Sequence, residues 1–288
     1  MVVMLKNYLL LLRPKQWIKN VFVFAPLIFA IKFFDIHACL QALMVFCVFC
    51  FASSLIYTFN DIYDVQADKK HPLKKLRPLA AGVIGINQAI KTCVILFICL
   101  GLMLLLMGNM TIFLLALAYI GLNILYSVHL KKVVIIDVFM IAFGFILRIY
   151  AGAFAIDVPV SGHIILCTLG LSMFLGFSKR KLEILMLGNK NRLVLKEYSL
   201  EILDKFIMIS AILAIISYFL YTLENSLIYG NLLMFSSVFV IYGIFRYFLL
   251  VEKNKSDDLV ENLFNDKPLI AVCCLYVLYI ITIFICFR

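Results

Sequence analysis

The sequence predicts an all-α integral membrane protein, a bundle of about nine transmembrane helices with a polar cavity facing the cytoplasm. Three observations predict it. First, 65% of the 288 residues are apolar and the mean hydropathy is +1.08. A water-soluble domain of this length is roughly half apolar, so the excess needs lipid as its solvent. Second, apolar stretches of about 17–25 residues recur, each long enough to cross a ~30 Å hydrocarbon core. Third, successive loops alternate between several cations and almost none, the pattern of the positive-inside rule.

The expected spans, in order, are 18–34, 38–59, 86–108, 111–128, 133–154, 162–178, 205–224, 229–250 and 268–287. They form one domain over 1–288. Residues 1–17 are expected to lie as an amphipathic segment at the interface. They are not expected to be a cleavable signal, because Arg13, Lys15 and Lys19 follow the apolar run without a small-residue cleavage pattern. Lys69, Lys70, Lys74, Lys75 and Arg77 crowd the second loop, and Lys131 and Lys132 the fourth. Lys179, Arg180, Lys181, Lys190, Arg192, Lys196 and Lys205 crowd the sixth, and Lys253, Lys255 and Lys267 the eighth. The loops at 109–110, 158–161 and 225–228 carry none. The N-terminus is therefore expected in the cytoplasm and the C-terminus outside.

The net charge of +10 follows from this topology and suits an anionic substrate; no nucleic-acid partner is expected. The nine cysteines are scattered, mostly in apolar runs, without zinc spacing, as packing thiols are.

The most informative stretch is Asn60–Gly82, NDIYDVQADKKHPLKKLRPLAAG. On one continuous helix Asn60, Asp61, Asp64 and Asp68 fall at roughly 0°, 100°, 40° and 80°, within one arc. Three carboxylates on one face repel each other unless a cation sits among them. Oxygen-only ligands at this spacing suit Mg²⁺. Lys74 and Arg77 follow, placed to take phosphate oxygens. A solvated helix end, its acids balanced by Lys69 and Lys70, is the competing reading. His71, before Pro72, falls where the helix has ended, as a turn residue or as a participant in the site.

Asn60–Asp68 resembles the first aspartate-rich motif of the UbiA-type membrane prenyltransferase superfamily. Further stretches resemble its decaprenyl-phosphate phosphoribosyltransferase-like branch. They are Arg13-Pro14-Lys15-Gln16-Trp17-Ile18-Lys19-Asn20, His71-Pro72 with Lys74 and Arg77-Pro78, and Tyr126-Ser127 through Lys131 and Asp137. Gly144-Phe145, Arg148, Gly152 and Lys179-Arg180 complete the set. The resemblance implies transfer of 5-phosphoribosyl from phosphoribosyl diphosphate (PRPP) to a polyprenyl phosphate in a bacterial inner membrane. It implies Mg²⁺ as cofactor, held by Asn60, Asp61, Asp64 and Asp68, and leaves homo-oligomers open. Asp137 joins the three acids as a candidate catalytic residue. Lys15, Lys19, Asn20, Asn60, Lys74, Arg77, Tyr126, Lys131, Arg148, Lys179 and Arg180 are the candidate substrate-binding residues.

One departure favours this branch. Ordinary members of the superfamily look as though they need a second Asp-x-x-x-Asp motif between the fourth and fifth spans. Here that loop reads SVHLKKVVIID, with cations before Asp137. PRPP carries an additional phosphate, which extra cations suit. Asp137 and Arg148 share a helical face, about 16 Å apart along the axis. An arginine inside a span marks a cavity or a buried partner, so Arg148 either ties helices together or binds phosphate. Lys179 and Glu183 have the spacing of a surface ion pair. An aromatic or quinone-pathway prenyltransferase is the rival enzyme reading, and a transporter with an acidic gate the rival outside enzymes.

Overall fold

The computed structural model describes residues 2–187, 193–225, 231–253 and 265–287. Lys190, Arg192, Lys255 and Arg288, counted above for topology, lie outside the described residues. The protein is all-α. A short helix, α1 (Val2–Leu12), precedes a 3₁₀ run (Pro14–Phe24), α2 (Ala25–Phe29) and a 3₁₀ turn (Lys32–Phe34). Then come α3 (Ile36–Tyr63), α4 (Val65–Lys70), α5 (Ile86–Met107), α6 (Met110–Val128), α7 (Ile136–Ala155), α8 (Gly162–Leu187) and α9 (Leu200–Glu224). The short α10 (Leu232–Phe235) runs on toward α11 (Ser237–Glu252), and α12 (Lys267–Cys286) follows. Among the described residues, eight helical segments are long and apolar enough to cross a membrane: α3, α5 to α9, α10 with α11, and α12.

The stretch expected as the first span, 18–34, is not one α-helix but 3₁₀ from Pro14 to Phe24 and α-helical only over α2. The physical reason lies in what its side chains must reach. In a 3₁₀ helix residues three apart eclipse, so Trp17, Asn20 and Val23 line up along one edge. Trp17 Nε1 donates to Ser54 Oγ at 2.9 Å, and Asn20 Nδ2 to Ser53 Oγ and Cys50 Sγ, each at 3.3 Å. At Val23 the backbone passes so close to Gly152 that a Cβ there would overlap the Val23 carbonyl. An α-helix would rotate these three residues off the shared edge by about 60° per step.

Other ends follow local chemistry. Asp35 caps α3 by accepting from His37 N and Ala38 N, Asn109 caps α6, Ser199 caps α9 and Asp266 caps α12. Gly108 ends α5 in the left-handed conformation that glycine tolerates. Several helices overrun their expected spans: α3 runs on past 59 to Tyr63, α8 continues past 178 to Leu187, and α9 begins at Leu200, which places Glu201 one turn before Lys205, 2.8 Å from it.

The chain forms two compact units, one of residues 1–130 with 147–159, the other of 131–146 with 160–288. The first packs around Val23, Val45, Phe49, Leu100, Ile112 and Tyr119. The second packs around Val138, Phe174, Phe177, Leu203, Ile207 and Tyr247. In the second, Gly170 lets α8 approach α9 closely, since a Cβ there would come within 2.6 Å of Ala214 N. Small residues serve this purpose where lipid removes the hydrophobic drive for helix association.

Candidate active site

In the first unit the site begins where α3 ends. Asn60 and Asp61 occupy its last turn, and Asp64 caps it. The helix is interrupted at Asp64 and resumes as α4, with Asp64 N and Asp68 N each still bonded to the carbonyl four residues earlier. Asp61 and Asp68 meet through Arg77. Arg77 Nη1 lies 3.2 Å from Asp61 Oδ1 and 2.5 Å from Asp68 Oδ2. Arg13 also pairs with Asp61 and lies over the Tyr57 ring, 5.2 Å from its centroid. Tyr57 and Asp61 are one turn apart on α3, so they share a face. The cations among these carboxylates are therefore guanidinium groups. Both carboxylates are buried, while the Arg13 and Arg77 side chains keep 23% and 29% of their surface exposed. Burial pulls the Arg13 guanidinium below its ordinary value, and Asp61 opposes that shift.

Arg13 has a left-handed backbone, φ 53° and ψ 57°, which costs a non-glycine residue about 1–2 kcal/mol. Pro14 contributes, because a following proline disfavours the right-handed helical region. Both flanks are pinned to α3: Ser54 Oγ donates to Leu12 O at 2.9 Å and accepts from Trp17. Arg13 is thus aimed at Asp61 by its backbone as well as by charge.

No three His, Cys, Asp or Glu converge into a metal cage among the described residues. The donor set nevertheless fits Mg²⁺, which takes one or two carboxylates and completes its shell with substrate phosphates and water. Asp61 and Asp68 would supply the carboxylates. Asn60 Oδ1 is buried without a hydrogen-bond partner, an arrangement that costs about 1–3 kcal/mol unless something occupies the lone pairs. Asp64 is half-buried at the interruption. His71 Nδ1 accepts from the backbone N–H of Leu73 and Lys74 at 3.2 and 3.3 Å, which makes it the organiser of the turn into Lys74. Lys19, Lys74 and Tyr126 are half-buried and Lys15 is exposed.

Asn20 and Arg148 sit together deep in the first unit. Arg148 Nε donates to Asn20 Oδ1 at 2.7 Å and Nη2 donates to Tyr119 Oη at 2.8 Å. The guanidinium also lies 4.6 Å from the Tyr119 centroid and 5.7 Å from that of Phe49. Of the two readings left open for Arg148, this geometry matches the tie between helices.

The second unit holds a different charged cluster. Asp137, in the first turn of α7, accepts from Arg180 Nε at 2.7 Å and from Tyr198 Oη at 3.0 Å. Arg180 Nη1 lies 2.6 Å from Glu183 Oε2, three residues along α8. Tyr198 Oη also accepts from Ile135 N at 2.7 Å, at a residue with φ 69°. Burial first, then the Asp137 carboxylate, push the Tyr198 phenol above its ordinary value, so it stays a donor. Lys181 bridges to Asp204 at 2.7 Å and to Glu252. Lys179 and Lys131 are half-buried.

Arg13, Tyr119, Glu183 and Tyr198 belong to these clusters and lie outside the site candidates, as do Tyr57, Lys181, Asp204 and Glu252. Arg13 stood inside a quoted motif, directly before proline, and Glu183 stood three residues after Arg180. Nothing in the sequence pairs Tyr119 with Arg148 or Tyr198 with Asp137.

Known proteins agree with this architecture. Residues 21–265 match the model of the UbiA prenyltransferase family. A decaprenyl-phosphate phosphoribosyltransferase of Corynebacterium glutamicum is 35% identical over 221 residues, covering 75% of this chain and 67% of that protein. The Mycobacterium tuberculosis protein of the same name is 27% identical over 266 residues, covering 90% and 87%. A UbiA homologue from Archaeoglobus fulgidus, solved bound to GPP and Mg²⁺, superposes with a TM-score of 0.73 over 96% of this chain and 99% of that one, at 18% identity. Matched by the family model over most of its length, the chain belongs to the UbiA prenyltransferase family, close to its decaprenyl-phosphate phosphoribosyltransferase members.

Proposed function

We propose that the protein transfers 5-phosphoribosyl from PRPP to a polyprenyl phosphate, releasing diphosphate, with Mg²⁺ as cofactor. The observation that carries this is the 35% identity to a decaprenyl-phosphate phosphoribosyltransferase, joined to a buried carboxylate pair ringed by arginines.

In this reading an oxygen of the acceptor phosphate forms a bond to ribose C1, and the C1–O bond to diphosphate breaks. The electron pair leaves with the diphosphate. Positive charge builds on the sugar and negative charge on the leaving group. Arg13 and Arg77 are placed to take that negative charge, and preorganised electrostatics of this kind is usually the largest catalytic term. Asn60, Asp61 and Asp68 would hold Mg²⁺, which when bound supplies further neutralisation of the diphosphate. The acceptor phosphate, with a second pKa of about 6, is already ionised at neutral pH, so the step needs no strong general base. Cations for the remaining phosphate charge are proposed among Lys15, Lys19, Lys74, Lys131 and Lys179. Arg180 is the weaker candidate, because Asp137 and Glu183 already flank its guanidinium.

The same reading puts the chain in a bacterial inner membrane with the Asn60–Gly82 segment in a cytoplasm-facing polar cavity. In this reading the stretch expected at 18–34, part 3₁₀ and part α-helical, is the ninth crossing beside the eight long apolar helices. The alternation of cations supports the N-terminus inside and the C-terminus outside.

The test is direct. Purified protein is incubated with PRPP, a polyprenyl phosphate and Mg²⁺, and the lipid is analysed by mass. The expected product is the acceptor plus one phosphoribosyl group, absent when Mg²⁺ is chelated. Transfer of a prenyl group from a prenyl diphosphate to an aromatic acid, with PRPP ignored, would overturn the reading.

A further inference from the structure

The carboxylates proposed to hold the metal are already neutralised. Arg13 and Arg77 stand against Asp61 and Asp68, two cations on two anions. We propose that this cluster is an electrostatic latch: Arg13 and Arg77 hold the carboxylates before substrate arrives, then exchange onto the diphosphate as the metal takes their place, so that metal and diphosphate bind only weakly apart and strongly together. The inference rests on the diphosphate reading above and adds the order and coupling of binding to it.

Charge is the first argument. A divalent cation entering a balanced set of two guanidinium groups and two carboxylates leaves an uncompensated double positive charge among buried groups. A diphosphate entering alone meets arginines whose charge is already spent on Asp61 and Asp68. Together the two ligands cancel, and each guanidinium passes from a carboxylate to a phosphate, both of which it can bind through a fork of N–H donors. Placement is the second argument. The aspartates are buried, but the arginines are about a quarter exposed, so they are the members able to change partners. Arg13 stands at a left-handed backbone position between two segments tied to α3 through Ser54. Its side chain can swing while its anchor stays fixed. Third, Asn60 Oδ1, on the residue directly before Asp61, is buried without a hydrogen-bond partner, a ligand oxygen open to a cation.

The experiment is calorimetric titration of the full chain in nanodiscs with Mg²⁺, with methylenediphosphonate as the diphosphate, and with each in the presence of the other. Trp17, the one tryptophan, gives a fluorescence readout from the Arg13 segment. In the wild type each ligand is expected to strengthen the other by about 10–100-fold, within the range of ordinary coupling. Arg13→Gln should bind Mg²⁺ alone about 10-fold more tightly than wild type and lose most of the coupling, whereas Arg13→Lys, which keeps the cation, should retain part of it. Asp61→Asn should act in the opposite sense: it frees Arg13, so methylenediphosphonate without metal should bind several-fold more tightly, while Mg²⁺ binds more weakly. Should Arg13→Gln fail to fold, the Asp61→Asn arm still decides. Wild-type coupling in both variants would overturn the latch, as would a wild type that binds both ligands independently. A wild type that binds neither ligand would overturn the diphosphate reading itself.

Discussion

The two units each carry a buried cluster of arginine and carboxylates, and the clusters differ in access. In the first, Arg13 and Arg77 remain 23% and 29% exposed above buried Asp61 and Asp68. In the second, Arg180 is 1% exposed and Asp137 fully buried, with Glu183 and Tyr198 closing the set. Ion pairs sealed on every side are held by desolvation: neither member can leave without stranding a charge. Pairs with one member at the surface can exchange that member for a ligand. The difference teaches that two arginine–carboxylate clusters in one chain can differ in how free their arginines are to change partners. Arg180, expected from sequence to bind phosphate, is enclosed between Asp137 and Glu183, while Arg13, outside the expected set, faces the carboxylates of the candidate site.

This comparison can be broken most forcefully at Arg180. Arg180→Gln leaves Asp137 and Glu183 without their shared guanidinium, and the expected loss is about 3–5 kcal/mol of stability, the cost of breaking a buried pair from one side. Thermal unfolding in detergent or nanodiscs checks it. A variant as stable as wild type, but with weakened PRPP binding, would return Arg180 to the role of phosphate ligand.

Asp68→Asn probes the first cluster with the opposite signature. It removes one carboxylate from the proposed metal site and should lower turnover by at least ~10²-fold, on the scale of losing one stabilising group at a reacting centre, while the unfolding temperature stays near that of wild type. Product formation by mass analysis, beside the same unfolding assay, gives both readings. A large loss of stability with turnover preserved in the folded fraction would make this cluster structural as well.

The smallest expected effect sharpens the second cluster. Tyr198→Phe removes a hydroxyl that donates to Asp137 and accepts from Ile135 N. The expected cost is about 1–3 kcal/mol, because a buried N–H is left unsatisfied, and catalysis should change less than stability. Equal stability of variant and wild type would place the anchoring of Asp137 on Arg180 alone.

Much of the architecture was legible in the chain because lipid imposes a strong rule. Every spanning segment must satisfy its own backbone, so apolar runs of sufficient length become helices. The runs at 38–59, 86–108 and 111–128 emerge as α3, α5 and α6 with only their ends shifted. Residues 14–29 escaped this rule: their helix type depends on Trp17, Asn20 and Val23 meeting residues of α3 and α7 far along the chain. The acidic stretch was legible as chemistry but not as geometry. Its spacing places Asp61 and Asp68 near one face, but only the return of Arg77, with Arg13 from the other side of α3 in the sequence, shows which cations meet them.

By itself the sequence determined the solvent, the helical class and the residue types available to an anionic substrate, because hydropathy and charge are properties of segments. The tertiary structure alone decided which cation meets which anion. Arg13 reaches Asp61 across 48 residues, Arg180 reaches Asp137 across 43, and Arg148 reaches Asn20 across 128. Inside a low-dielectric interior each buried charge must find a partner, and which one it finds depends on how the helices pack, since no local spacing encodes a contact so distant along the chain.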